Sequence, residues 1–319
     1  MQVQGFDRSG GELAAEVPVA IIGAGPAGIA AAIQLKRMGA EPLVFERERV
    51  GGLLWNAHLV ENYPGFPRGV PGTDLAGLMR DHLAAHSIAV LPEEVLSLDI
   101  GDRGFVLRTA RRSVLARRVV IASGTVPRQM RSPEIPACLG DRVLGEVYPI
   151  LDIDGRRVAI VGAGDAAFDY ALSLQSRNAV VIINRGAAPR CIPILERRVE
   201  SCPSIEHLRN TRIVKVERKD GGVRLACETD VGGAGRLHVD ADYVILAIGR
   251  RPELSFLSHR LVGLLDELGG KGLVHMVGDV AHGSARQTAI AVGDGVAAAM
   301  SLHMDMAHDL GDKTWEIGR

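Results

Sequence analysis

The stretch Val17–Leu35, VPVAIIGAGPAGIAAAIQL, decides how this chain is read. Val19 to Ile22 are a short apolar run, as expected of a central parallel strand buried on both faces. Gly23, Gly25 and Gly28 follow in Gly-x-Gly-x-x-Gly spacing. Gly23 allows a tight turn, Gly25 lets a pyrophosphate reach the backbone, and Gly28 lets the next helix pack closely on the strand. That helix starts with free N–H groups and the positive end of its dipole at the phosphates. The apolar stretch Pro42–Phe45 predicts the next strand. It ends at Glu46, a carboxylate about 20 residues past the turn, where ribose hydroxyls are held. The pattern predicts a dinucleotide site.

A second copy of the pattern reads RRVAIVGAGDAAFDYALSL, Arg156–Leu174. Val158 to Val161 predict the strand, Gly162 and Gly164 open the turn, and Ala167 stands in the third glycine position. A helix is expected from about Asp165 to Ser173. The following strand, Val180 to Ile183, ends at Asn184-Arg185 where an acid would stand. Arg185, with Arg190, suits a 2′-phosphate through forked guanidinium contacts. The reading therefore favours NADPH over NADH, with solvated surface arginines as the alternative. Two dinucleotide sites on one chain imply two cofactors and electron transfer between them.

Bulk properties bound the rest. The 319 residues suffice for about two domains. A net charge of −1 gives no pull toward nucleic acid or an anionic membrane. No apolar run reaches the roughly 20 residues of a membrane span, and the first 16 residues do not read as a signal peptide, so a cytoplasmic protein is expected. The cysteines Cys138, Cys191, Cys202 and Cys227 include no C-x-x-C pair. Scattered buried thiols in a reduced compartment are expected, with a Cys191–Cys202 redox pair as the alternative.

Val119–Gly124 and Tyr243–Gly249 are alike, each an apolar strand closed by glycine, and they flank the second fingerprint. They read as two crossovers between domains. The fold class is α/β, with two Rossmann-like, three-layer ββα dinucleotide-binding domains, the second inserted into the first. Residues 1–120 and 247–319 are expected to form one discontinuous domain and 121–246 the other. A β-meander is expected around 95–118.

These residues carry a resemblance. GAGPAGIAAA, Gly51-Gly52, VENYPGFP (Val60–Pro67), the crossovers, GAGDAA, and VGDV (Val277–Val280) before Arg286-Gln287 resemble the low-molecular-weight thioredoxin reductase family of flavoproteins. The resemblance implies FAD in the first domain, NADPH in the inserted one, and a homodimer. It implies FAD contacts from Gly23, Gly25, Pro26, Ala27, Gly28, Glu46, Arg47, Gly52, Leu53, Asn62, Val95, Ser123, Gly124, Gly278, Asp279, Gln287, Thr288 and Ala289. Asp279 would bond the ribityl chain, and a helix from Thr288 to Met300 would point its N-terminus at the flavin pyrimidine. It implies NADPH contacts from Gly162, Gly164, Asp165, Ala166, Ala167, Asn184, Arg185, Arg190, Ile248 and Gly249. No metal is implied.

One departure matters. Thioredoxin reductases carry C-x-x-C just before the second fingerprint, whereas Gly145–Gly155 here is GEVYPILDIDG. Asp165, Asp169 and Tyr170 instead resemble the dithiol-free ferredoxin/flavodoxin–NADP reductases of the same architecture. In those a C-terminal aromatic covers the flavin, a role open to Trp315.

Three functions stay open at this point. An FAD-dependent NADPH oxidoreductase would serve an external carrier such as ferredoxin or flavodoxin. Arg103, Arg108, Arg111, Arg112, Arg117 and Arg118 would steer that carrier, with a solvated outer face as the alternative. A small-molecule oxidoreductase would reduce or oxidise a quinone, a disulfide metabolite or an organic substrate in a cavity lined by Trp55, His58, His282 and His303. A regulatory flavoprotein would bind FAD without turning over NADPH.

Overall fold

The computed structural model describes residues 13–230 and 235–309. Trp315, the candidate aromatic cover, lies outside the described residues.

The first fingerprint folds as strand Leu13–Ile22, turn, and helix Pro26–Arg37. Pro26 suits the first helical turn, where its missing N–H has no partner to lose. Gly23 sits at φ 103° and a side chain there would overlap the Ala122 carbonyl. Gly162 in the second fingerprint sits at φ 132° and faces the Ala247 carbonyl in the same way. Each turn therefore closes against one of the two crossover segments.

Strands Val90–Leu91, Pro42–Phe45, Leu13–Ile22 and Ser113–Ile121 lie side by side and parallel, with Val274–Met276 joining Ser113–Ile121 from near the C-terminal end. The meander forms as Ser97–Gly101, Gly104–Arg108 and Ser113–Ile121. Its last strand also belongs to the parallel set, so the two layers share one seven-stranded hydrogen-bonded sheet. Val19, Ile21, Val44 and Val120 bury one face under helices Pro26–Arg37 and Thr288–Asp309. Ala20, Phe45 and Ile121 face the other way, onto Phe105, Leu107, Val114 and Leu261. These strands are apolar on both faces because both are covered.

Residues 143–246 form a five-stranded parallel sheet in the order Ile205–Leu208, Ala179–Ile183, Arg157–Val161, Tyr243–Leu246, Val143–Leu144. Helices Asp165–Leu174 and Pro193–Glu200 cover one face through Phe168, Leu172, Leu195 and Val199. The antiparallel strands Thr211–Lys219, Gly222–Thr229 and Gly235–Ala241 cover the other through Val216, Leu225 and Val239. The chain passes between the sheets twice, and those passages pair with each other as an antiparallel ribbon of Thr125–Pro127 and Arg250–Pro252. No described helix is long and apolar enough to cross a membrane.

Candidate functional site

A cavity of about 860 Å³ opens where the two sheets meet. The first turn reaches it through Gly23, Gly25, Pro26 and Ala27, and the segment after the second strand through Glu46, Arg47, Gly52 and Leu53. Asn62, Val95, Ser123 and Gly124 also line it, as do Asp279, Gln287 and Thr288. Gly28 lies behind the wall, where a side chain would strike the Gly23 carbonyl. Gly278 is also behind it; its N–H donates to Asp294 Oδ2 at 2.9 Å. Ala289 stands one residue inside the helix Thr288–Asp309 and does not line the cavity.

Local chemistry fixes these positions. Glu46 Oε2 accepts the Ala24 N–H at 2.7 Å, and Oε1 accepts the Glu48 N–H at 2.9 Å. The carboxylate thus ties the phosphate turn to the strand that follows. Asn62 Nδ2 donates to Gln287 Oε1 at 2.6 Å, joining segments far apart in sequence. A side chain on Gly52 would press on the Gly25 backbone, so the two glycines leave a bare backbone cradle. Asp279 has no hydrogen-bond partner among the described residues, and burial raises its pKa above the ordinary carboxylate value. Half-buried and facing the cavity, this carboxylate is free to accept from a ligand hydroxyl. Such a cradle and such an acceptor fit a dinucleotide rich in hydroxyls.

The second fingerprint opens on the same cavity. Asp165 and Ala166 at the helix start line it, followed by Asp169 and Tyr170 one turn on. Asp165 Oδ1 accepts the Ile192 N–H at 2.8 Å. Gly164 is open, Ala167 is buried, Ile248 packs partly buried on the core and Gly249 sits at φ 106°. Gly162, Gly164, Ala167, Ile248 and Gly249 do not line the cavity.

Asn184 corrects one expectation. It is buried, and its amide closes its own turn: the Gly186 N–H donates to Oδ1, and Nδ2 donates to the Ala188 carbonyl. Its side chain shapes the loop and is not left free for a ribose. Arg185 and Arg190 are exposed and without side-chain partners among the described residues, outside the cavity wall. The Arg190 N–H donates to the Ala163 carbonyl at 2.7 Å, which holds that loop beside the phosphate turn.

Other candidates separate. Trp55 lines the cavity, whereas His58, His282 and His303 do not. His282 Nε2 is committed to Asp294 Oδ2 at 2.7 Å, and burial lowers the His58 pKa. The basic stretch is partly paired. Arg112 pairs with Glu93 at 2.7 Å and Arg117 with Glu16 at 3.3 Å. Arg108 and Arg118 also have partners, and Arg118 is buried. All four cysteines are free thiols; Cys191 and Cys202 are half-buried against the second core, unbonded. Burial is the main cause that raises the Cys191 pKa, with Glu196 and Asp165 adding to it, so the thiolate is disfavoured. Among the described residues no cluster of His, Cys, Asp or Glu could hold a metal ion.

The sequence reading missed a group from the cysteine-free segment. Arg250 donates to Thr125 Oγ1 and O and to Glu146 Oε1 at 2.8, 2.7 and 2.8 Å. Glu146 Oε2 accepts from Asn56 Nδ2 at 3.1 Å, and Asn56 Oδ1 accepts the Tyr148 N–H at 3.0 Å. Tyr148 packs edge-on to Trp55, with the Arg49 guanidinium 3.6 Å from its ring centre. Only the aromatic Tyr148 within GEVYPILDIDG hinted at this cluster.

The family described as pyridine nucleotide-disulphide oxidoreductase matches residues 17–295. The chain belongs to that family. It is 31% identical to the thioredoxin reductase of Mycolicibacterium smegmatis, over 91% of this chain and 96% of that protein. It is also 31% identical to the NADPH-dependent thioredoxin reductase 3 of Arabidopsis thaliana over 92% of this chain, and spans only 58% of that longer relative. The crystal structure of T. acidophilum thioredoxin reductase superposes with a TM-score of 0.78 at 26% identity, covering 91% of this chain and 99% of that one. The α/β architecture with two dinucleotide-binding folds is shared. FAD and NADPH are the cofactors of thioredoxin reductases.

Proposed function

We propose that this protein is an FAD-dependent NADPH oxidoreductase that delivers electrons to an external acceptor. The observation that carries this reading is the shared cavity. Gly25 and Gly52 line it from the first fingerprint side, and Asp165, Ala166 and Tyr170 from the second. One open cleft reached by both fingerprint units suits direct hydride passage between their cofactors. Residues 1–120 with 247–319 would hold FAD and 121–246 NADPH, and a homodimer belongs to the same reading.

In this reading the bare Gly25–Gly52 backbone receives the FAD pyrophosphate, while Glu46 orients the turn and faces the ribose. Asp279 accepts from ribityl hydroxyls. The 22-residue helix Thr288–Asp309 directs its N-terminal dipole at the flavin ring and favours negative charge there. When bound, FAD accepts the hydride and passes electrons on. Asp165 holds the Ile192 loop beside the nucleotide turn, and Arg185 and Arg190 stand ready for the 2′-phosphate.

Two observations bear on the acceptor. The chain has no C-x-x-C, which argues against thioredoxin reduction by a flavin-adjacent dithiol. Arg112 and Arg117 of the stretch 101–120 are paired with Glu93 and Glu16, which lessens the positive charge available to steer ferredoxin or flavodoxin. The cavity wall is apolar at Ile192, Ile194, Leu195 and Trp55. We therefore favour a small-molecule acceptor, such as a quinone or a disulfide metabolite, over a carrier protein.

The test is an anaerobic absorbance titration of the purified protein with NADPH, then NADH, followed by a panel of acceptors. Bleaching by NADPH is expected, and the acceptor that restores colour identifies the reaction class. A yellow protein that neither nucleotide bleaches would instead support a non-catalytic flavoprotein.

A further inference from the structure

We propose that the Tyr170 hydroxyl is the hydrogen-bond donor that holds the nicotinamide end of NADPH in the cavity, an assignment that rests on the function proposed above. Tyr170 is 7% exposed, and that exposure lies on the cavity, which it lines. Its hydroxyl has no hydrogen-bond partner among the described residues. A tyrosine buried this deeply normally satisfies its hydroxyl.

The neighbours that could have satisfied it are committed elsewhere. The Asp169 carboxylate accepts the His58 N–H at 2.8 Å and also bonds the Leu59 N–H. Arg250 is taken by Thr125 and Glu146, and Glu146 by Arg250 and Asn56. The charged side chains nearest Tyr170, namely Asp169, Arg250 and Glu146, are thus paired off, and its hydroxyl is left facing the cavity.

Its position selects the ligand atom. The second fingerprint offers the start of helix Asp165–Leu174 to a pyrophosphate. Tyr170 lies about 1.4 turns beyond Asp165, roughly 7.5 Å along the helix axis. A nicotinamide riboside reaching from the pyrophosphate toward the first site spans a distance of that order. Its carboxamide oxygen is an acceptor that matches an unpaired hydroxyl. Burial pushes the Tyr170 pKa up to about 12, so the group remains a donor at any working pH. Because the contact fixes the ring's rotation, Tyr170 acts on which face the nicotinamide presents to the flavin.

The experiment is titration calorimetry on the oxidised, FAD-loaded protein and its Tyr170→Phe variant, with NADP⁺ and with 2′-phospho-ADP-ribose, which lacks the nicotinamide. Loss of one hydrogen bond should weaken NADP⁺ by about fivefold and leave the truncated nucleotide unchanged, with slower bleaching by NADPH. Equal weakening of both nucleotides would mean a general disturbance of the site and overturn the assignment. Unchanged NADP⁺ affinity would overturn it too, leaving the hydroxyl to water or to the acceptor. If the wild-type protein binds the truncated nucleotide and NADP⁺ alike and NADPH does not bleach it, the oxidoreductase reading fails, and the assignment with it.

Discussion

The Glu61 carboxylate and the Arg198 guanidinium form a forked ion pair, with contacts of 2.6 and 2.8 Å. Glu61 lines the cavity in the segment after Gly52–Asn56, and Arg198 lies on helix Pro193–Glu200 beside the second sheet. With the His58–Asp169 contact it links the two halves of the fold on one side of the cavity. Both side chains are about one-third or more exposed, at 42% and 34%, so solvent screens the pair and its worth is about 0.2–1 kcal/mol. Arg198→Ala should therefore lower the melting temperature slightly at low salt and have no effect at high salt. A large loss that persists in salt would show that Arg198 does more than pair with Glu61.

Glu46 bonds two backbone N–H groups with separate oxygens. Glu46→Ala leaves the Ala24 N–H beside the phosphate turn without its acceptor, at a cost of about 1–3 kcal/mol. The expected outcome is purified protein with a lower ratio of flavin to protein absorbance, and reduced recovery of colour on adding FAD. Full flavin retention would place the FAD site elsewhere.

Gly295 sits in helix Thr288–Asp309 where it crosses helix Pro26–Arg37, and a side chain there would overlap the Ala27 carbonyl. The backbone cannot yield without moving the helix that follows the phosphate turn. Gly295→Ala should destabilise by about 1–3 kcal/mol despite alanine's better helix propensity. Thermal unfolding of the FAD-loaded protein checks it, and a stabilised variant would show that the two helices have room to part.

Local grammar explains why the two strand–turn–helix units were legible. Each combines an apolar strand, a first glycine at positive φ (Gly23 or Gly162), and a helix that buries Ala31, Leu35 or Phe168, Leu172. The Asp169–Tyr170 pair was noticed in its motif, but its place in the cavity was not legible. The helix faces the first sheet only because the Thr125 and Arg250 passages pair as a ribbon. Glu146 and Arg250 were silent for the same reason: their partners Asn56 and Thr125 lie 90 to 125 residues away. Counting charge along the chain left the arginine-rich meander open between a steering patch and a solvated face; the acids that pair Arg112 and Arg117, Glu93 and Glu16, lie across it. His282 was a cavity candidate until Asp294 was seen to hold it.

Arg185 and Arg190 flank a loop tied down by the Asn184 amide and by the Arg190 N–H. A fixed loop with two unpaired guanidinium groups loses little side-chain freedom to a phosphate beyond the arginines themselves. Arg185→Ala should weaken NADPH by about 10- to 100-fold, the worth of a charged hydrogen bond, and NADH much less. Binding of both nucleotides to the oxidised protein checks this. Equal effects would mean that Arg185 does not read the 2′-phosphate.

Asp169 supplies the pH dependence. Burial pushes its pKa up to about 6, while N–H donation from His58 and Leu59 opposes the rise and the charges of Asp165 and Glu61 add to it. In the unfolded chain the value is near the ordinary 3.9. Between about pH 4 and pH 6 the folded protein keeps a proton that the unfolded chain has released. Stability therefore falls as pH rises through that window, by an amount on the order of 3 kcal/mol once Asp169 is ionised. Asp169→Asn keeps an oxygen to accept the His58 N–H and carries no charge. The melting temperature of the wild type should decline from pH 5 to pH 7 more steeply than that of the variant, and the variant should be the more stable of the two at pH 8. Parallel profiles would mean that Asp169 is ionised throughout, so that the two backbone N–H bonds outweigh burial and the carboxylate is a permanent tie between the two halves of the fold.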